Sequence, residues 1–129
     1  MKDTSKSTKT ALALVVEDDP PEREELTRIL REEGFEVTGV RSGREALDLL
    51  GGASYDLVVL DILLPVMDGF DVMKRLKETA PEVLQRTIVV SRLNVRDMKV
   101  FFPVSRVFSK PVPEGELREA ARLARAAPH

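Results

Sequence analysis

Short aliphatic runs alternate along the chain with longer stretches whose apolar positions recur at helical spacing, predicting strands and helices in turn. Ala11–Val16 is an unbroken apolar run ending in acids, the pattern of a strand covered on both faces. Pro20 and Pro21 suit a first helical turn, Leu26, Ile29 and Leu30 form the stripe behind them, and Gly34 supplies the cap. Phe35–Val40 reads as a second strand, weakened by Gly39. Residues 42–45 spell an S-x-x-E capping box, which opens a short helix through Leu50 that Gly51 and Gly52 stop. Residues 57–60 are aliphatic and too few for a helix, so they read as a buried strand ending at Asp61. Asp68 and Gly69 open another helix, with Phe70, Met73 and Leu76 facing inward and Pro81 beyond its end. Residues 87–90 and 104–108 are the fourth and fifth strands, and Glu114–Ala126 is a closing helix with Leu117, Ala121 and Ala124 inward.

Strands alternating with helices of this length imply an α/β domain with a parallel sheet covered on both faces. Crossovers in such a sheet are right-handed, and ligands bind at the carboxyl ends of its strands. Residues 1–10 are polar and aperiodic and read as a disordered leader, leaving one domain over residues 11–127.

Composition narrows the chemistry. The chain has 129 residues, 43% hydrophobic and 33% charged, with a net charge of −2 that does not point to nucleic acid. It has no cysteine, which excludes disulfides, thiolate metal sites and cysteine nucleophiles. Its one histidine, His129, follows Pro128 at the chain end, which excludes a histidine triad or a multi-histidine metal site. No apolar run approaches a membrane span, and no signal-peptide core follows the start, so the reading is a cytoplasmic protein.

The strand ends carry the candidate chemistry. The first strand is followed by Glu17, Asp18 and Asp19, the third by Asp61, the fourth by Ser91, and the fifth by Ser109, Lys110 and Pro111. If the sheet is right, several carboxylates, a hydroxyl and an ammonium converge on one crevice. Carboxylates that close need a cation or a raised pKa, and oxygen ligands without His or Cys select Mg²⁺. For Glu17, Asp18 and Asp19 a bland reading stands beside this one, since acids ahead of a helix serve as caps and complement its dipole. Asp61 has no helix start to cap before Asp68, and Lys110 alone reads as a solvated lysine. The joint spacing favours a site.

The motifs V-V-E-D-D-P, Y-D-L-V-V-L-D-I-L-L-P-V-M-D-G-F, T-I-V-V-S and S-K-P together resemble the receiver domain of two-component response regulators, over about residues 11–127. The resemblance implies a flavodoxin-like (βα)5 three-layer sandwich with a five-stranded parallel sheet. It implies that Asp61 accepts a phosphoryl group from a histidine kinase or phosphotransfer protein. Glu17 and Asp18 match the acidic pair that holds Mg²⁺ with Asp61, and the Leu63 backbone carbonyl would be a further ligand. Ser91 and Lys110 match the hydroxyl and the lysine that bind phosphoryl oxygens. Receivers usually have a cis peptide before the proline of K-P, here Lys110–Pro111. The resemblance implies a signalling module rather than a turnover enzyme, with an output protein as second partner and no direct contact with nucleic acid or membrane. A monomer or weak dimer is expected.

Three departures from the family pattern lie after the fourth strand. Arg92 stands where a small residue is usual, and could pair with the phosphoryl group or crowd its entry. Val107 occupies the usual aromatic switch position, and Phe108, one place later, points to the opposite face. The stretch from Ser91 to Lys110 is short, so the fourth helix is expected to be short, irregular or missing. Asn94 or Asp97 would cap one turn of it, and Pro103 would bar its extension. Phe101 and Phe102 are either core anchors or a partner patch, core being favoured. Leu63 and Leu93, each two places beyond a site residue, cannot orient water, which implies slow self-dephosphorylation.

Two rival readings differ in class. A degenerate receiver would bind its partner constitutively; the intact Glu17, Asp18, Asp61, Ser91 and Lys110 oppose it. A Mg²⁺-dependent phosphatase of the haloacid-dehalogenase type would want an acid at Leu63. By region, residues 17–36 sum to −6 and residues 86–129 to +5. That split implies a dipolar domain whose basic 86–129 face, with Arg92, Arg96, Arg118, Arg122 and Arg125, meets an acidic output protein in a salt-sensitive way.

Overall fold

The structure is a computed structural model that describes residues 10–127. The expected leader, apart from Thr10, and the terminal His129 lie outside the described residues.

Five strands, β1 Ala11–Val16, β2 Phe35–Val40, β3 Leu57–Asp61, β4 Thr87–Ser91 and β5 Arg106–Ser109, form one sheet in the order β2-β1-β3-β4-β5. All four pairings are parallel. Helices α1 (Pro20–Glu32) and α5 (Glu114–Ala126) cover one face, while α2 (Gly43–Gly52), α3 (Gly69–Thr79) and the single turn α4 (Pro81–Leu84) cover the other. Alternate residues of each central strand serve the two cores. Leu14, Val16, Val58, Leu60 and Val89 pack under α2 and α3, and Ala13, Val15, Val59, Ile88 and Val90 pack against Leu26, Ile29, Leu30 and Leu117. That is why these strands are aliphatic without interruption. The expected flavodoxin-like sandwich is the observed one.

From β1 the chain steps first to β2 and then across to β3 on the other side, so the order reverses at β1. The carboxyl ends of β1 and β3 therefore border a crevice that no crossover fills, where a parallel sheet binds its ligand.

Several boundaries differ from expectation. Helix α2 runs through Gly51 and Gly52, because the Ala53 N–H still donates to the Leu49 carbonyl at 3.1 Å and neither glycine needs a left-handed backbone. In α3 it is Val72, Met73 and Leu76 that are buried, while Phe70 is only partly covered. Strand β5 begins at Arg106; Val104 is buried ahead of the ladder and Ser109 is paired with Ser91. Gly34, at φ 97°, follows α1 in the left-handed region, and its N–H donates to the Arg31 carbonyl at 2.9 Å.

Between β4 and β5 the chain makes only a 3-10 helix, Arg96–Val100. Val95 precedes it with no side-chain cap, so neither Asn94 nor Asp97 plays that part. Phe102 donates its N–H to the Met98 carbonyl, which puts these two on one side and buries both. Phe101 falls on the outer side and is 66% exposed, so the two phenylalanines divide between core and surface. Lys77 spans the pair, donating to the Phe101 carbonyl at 2.9 Å with its Nζ 5.6 Å from the Phe102 ring centroid.

Helices α1 and α5 are neighbours, and their opposite charges are joined. Arg118 donates to Glu32 at 2.6 Å, Glu33 at 2.9 Å and Glu114 at 2.8 Å; Arg122 donates to Glu33 at 2.8 Å; and Arg125 donates to the Glu33 carbonyl at 2.9 Å. Three arginines of the expected basic partner face are thus engaged within the molecule, pairing part of the basic block with part of the acidic one. Hydrogen bonds from Arg118 and Arg122 hold the Glu33 carboxyl below the usual range. A depressed acid stabilises the fold above its unfolded pKa and loses that contribution as pH falls through the folded value. Glu33→Gln should therefore lower the thermal midpoint near neutral pH, and the gap to wild type should narrow at acid pH as Glu33 takes up its proton. Thermal denaturation at neutral and acid pH checks this.

Candidate functional site

The carboxyl ends of β1, β3, β4 and β5 bring together the residues singled out from the sequence. Glu17 leaves β1 with its N–H donating to the Val40 carbonyl at 3.0 Å, and it is buried although ionisable. Asp18 is exposed beside it. Asp19 turns away: its carboxylate accepts from the Glu22 N–H at 3.0 Å and caps α1, so the bland reading holds for this one acid. Asp61 is buried at the end of β3, with Oδ1 accepting from the Leu63 N–H at 3.2 Å. Ser91 closes β4, fully buried, and its Oγ accepts from the Leu93 N–H at 3.0 Å. The Lys110–Pro111 peptide is cis.

Lys110 is not a solvated lysine. Its side chain is 6% exposed, and Nζ donates to Glu22 Oε1 at 2.6 Å, Glu17 Oε1 at 2.8 Å and Asp61 Oδ2 at 3.2 Å. Glu22 was not singled out from the sequence. Following two prolines in a first turn, it reads there as an acid favouring the helix dipole, and nothing in its local pattern points 88 residues down the chain to Lys110. Its other oxygen, Oε2, accepts from Arg92 Nη2 at 2.5 Å, so Arg92 is held at the rim by an acid.

The electrostatics follow from this crowding. Burial pushes the Glu17 carboxyl up to about 7; the Lys110 hydrogen bond works against that and the Asp61 charge adds to it. Burial alone would pull Lys110 down, but hydrogen bonds to Glu17 and Glu22 and the charge of Asp61 hold it well above its ordinary value. The same lysine lowers Glu22. One ammonium thus faces the carboxylates of Glu17, Glu22 and Asp61. Glu17, Asp18 and Asp61 each offer an oxygen, all within 4.8 Å of one another. An all-oxygen, charge-excess set of this kind fits a hard divalent cation.

The loop after Asp61 is built tightly beneath it. Val66 sits at φ 67°, a region that a β-branched residue rarely enters, while the Met67 N–H donates to the Pro65 carbonyl at 2.7 Å. Asp68 and Asp71 form a reciprocal capping box that starts α3. Gly69 donates its N–H to the Ile62 carbonyl at 2.9 Å, and a Cβ there would lie 2.7 Å from both the Asp61 carbonyl oxygen and the Ile62 Cα. The glycine of the D-G pair is therefore a requirement of close backbone approach. Gly69→Ala should destabilise the fold by about 1–3 kcal/mol by overpacking and shift the Asp61 amide resonance. Urea unfolding and two-dimensional NMR check both.

Val107 packs on the α2–α3 face and Phe108 on the α1–α5 face, so the usual aromatic position is aliphatic and the phenylalanine points away from it, as expected.

Comparison with known proteins follows the same lines. The response regulator receiver domain family matches over residues 13–122. The transcriptional regulatory protein TcrA of Mycobacterium tuberculosis is 50% identical over 64 residues, which is 50% of this chain and 25% of that protein. The response regulator MprA of Mycolicibacterium vanbaalenii is 43% identical over 70 residues, 54% of this chain and 30% of that protein. The chain thus matches less than a third of the length of these two relatives. Among solved structures, the response regulator protein TrrA of Thermotoga maritima in complex with Mg²⁺-BeF is 29% identical, with a TM-score of 0.78 over 89% of this chain and 99% of that one. A response regulator from Chloroflexus aurantiacus is 26% identical, with a TM-score of 0.80 over 92% of this chain and 100% of that one.

Proposed function

The chain belongs to the response regulator receiver domain family, and from that premise we propose that Asp61 is its phosphoacceptor, charged by a histidine kinase or phosphotransfer protein in a Mg²⁺-dependent reaction. The observation that carries the reading is the buried Asp61 carboxylate bonded at 3.2 Å to Lys110 among the oxygens of Glu17 and Asp18. An Asp61 oxygen attacks phosphorus, the phosphorus–nitrogen bond of the donor phosphohistidine breaks, and its electron pair stays on the imidazole, which takes up a proton. The carboxylate is a weak nucleophile, so the protein's contribution is position and charge. Lys110 donates to one phosphoryl oxygen and the Ser91 hydroxyl to another. Glu17, Asp18, Asp61 and the Leu63 carbonyl would hold Mg²⁺, which when bound supplies positive charge to the transferring oxygens.

The product is a signal state and not a released compound, so the module is not a turnover enzyme. Leu63 and Leu93, 47% and 45% exposed, flank the site with apolar side chains that orient no water, so the acyl phosphate should be long-lived. No described helix is long and apolar enough to cross a membrane. We place the protein in the cytoplasm, as a monomer or weak dimer that passes its signal to an output protein. On that output contact Arg118 and Arg122 would act from within their ion pairs to Glu32 and Glu33. The test is uptake of one phosphoryl group by the protein from a small phosphodonor, read by intact mass. Uptake should require Mg²⁺ and stop in excess chelator; equal uptake in chelator overturns the Mg²⁺ role, and none under any condition overturns the reading.

A further inference from the structure

Glu22 holds two cations with one carboxylate. Oε1 accepts from Lys110 Nζ at 2.6 Å and Oε2 accepts from Arg92 Nη2 at 2.5 Å. A phosphoryl group on Asp61 presents the same kind of surface, several anionic oxygens each able to take a separate donor. Lys110 already touches Asp61, at 3.2 Å, so Glu22 is seated within one side-chain length of the phosphoryl position. Arg92 follows Ser91 directly and is exposed apart from this one ion pair. Its only described carboxylate partner is Glu22. The negative charges of Glu17 and Asp61 act on the Arg92 guanidinium as well, although neither bonds it.

We propose that Glu22 is a built-in stand-in for the phosphoryl group, and that Arg92 is a second phosphoryl-binding cation which Glu22 holds in reserve until Asp61 is modified. This rests on the receiver reading of Asp61 and extends it to two residues that the site motifs do not include. In the unmodified protein the carboxylate keeps Lys110 and Arg92 ordered and neutralised at the rim. When a phosphoryl group arrives, Lys110 and Arg92 exchange carboxylate oxygens for phosphoryl oxygens, and Glu22 is released as a like charge. The structure has room for that release. A crevice of about 430 Å³ opens beside the pair, lined by Glu22, Arg92 and Lys110 and floored by Leu26, Ile29 and Val112. The exchange would tie the start of α1 to the modification state of β3 through residues this chain places there. It also resolves the two roles open to Arg92: pairing with the phosphoryl group and guarding its entry are successive states of one side chain.

The probe is beryllofluoride with saturating Mg²⁺ on the full chain, its affinity read by titration calorimetry and its bound fluorine environment by ¹⁹F NMR. Glu22→Gln keeps the shape and removes the charge, and should tighten beryllofluoride binding by about tenfold, the release of one charge-assisted hydrogen bond. Arg92→Ala in that Glu22→Gln background should give back about three- to fivefold, as one exposed ion pair would, and should shift the bound fluorine signals. If wild type binds the probe while Glu22→Gln binds it equally or more weakly, the competitor role is overturned. If Arg92→Ala then changes neither affinity nor fluorine shifts, the second-cation role is overturned. If wild type itself fails to bind the probe with Mg²⁺, the receiver reading falls, and this inference with it. Thermal midpoints within a few degrees of wild type establish that both variants are folded.

Discussion

Asp61→Asn should take up no phosphoryl group from a small phosphodonor, and in the absence of metal it should be more stable than wild type. The two effects share a cause. Asparagine keeps the shape of the side chain but has one acceptor oxygen in place of two: Leu63 N–H and Lys110 Nζ now meet Oδ1 and Oδ2 at 3.2 Å each, and the amide oxygen keeps Lys110 while the NH2 group gives up the Leu63 contact. It cannot form an acyl phosphate. It also removes one of the carboxylates crowded around Lys110, whose charge is among the causes that push Glu17 up. Relief of that repulsion should stabilise the metal-free protein by on the order of 1 kcal/mol. Added Mg²⁺ should stabilise wild type far more than the variant, because the variant has lost an oxygen ligand and a charge. Intact mass after incubation with the phosphodonor reads the first effect, and thermal denaturation with and without Mg²⁺ reads the second. Equal labelling of the variant would show that the phosphoacceptor lies elsewhere.

The three central strands β1, β3 and β4 were legible because a sheet covered on both faces demands uninterrupted aliphatic runs, and these runs end at Glu17, Asp61 and Ser91. Asp61, Ser91 and Lys110 could be placed on one edge from topology alone, since parallel strands all point their carboxyl ends the same way. What local pattern could not show was contact between elements distant in sequence. Glu22 has the composition of any first-turn acid, and its importance arises only when β5 delivers Lys110 beside α1. The same limit governs the charge blocks. Summed along the chain, residues 17–36 at −6 and residues 86–129 at +5 look like two faces of a dipole. In the fold α1 and α5 lie side by side, so much of that charge is paired across their interface. The segment between β4 and β5 was legible as irregular through its shortness and Pro103. The division of its phenylalanines depended on where one turn of 3-10 helix aims Met98 and Phe102.

Lys110→Met should destabilise the metal-free protein by about 3 kcal/mol and slow phosphoryl uptake by about a hundredfold. Methionine fills the volume of the lysine stem without its charge, so packing is largely conserved and the loss is electrostatic. Glu17 and Asp61 would stay buried with their shared counter-charge gone, and Glu22 would keep only Arg92. Removing one partner of a buried ion cluster costs more than the cluster contributes as a whole, because the remaining charges cannot return to water. A bound divalent cation replaces the missing charge, so excess Mg²⁺ should recover most of the stability in urea unfolding. It should not recover the rate if Lys110 meets the phosphoryl oxygen as proposed, because that ammonium has a position of its own, bonded to Asp61 from the β5 side. Stability restored by Mg²⁺ with uptake still slow would separate the two duties of Lys110, counter-ion to the acids and ligand to the phosphoryl group. If Mg²⁺ restored both together, the lysine would be a counter-ion alone.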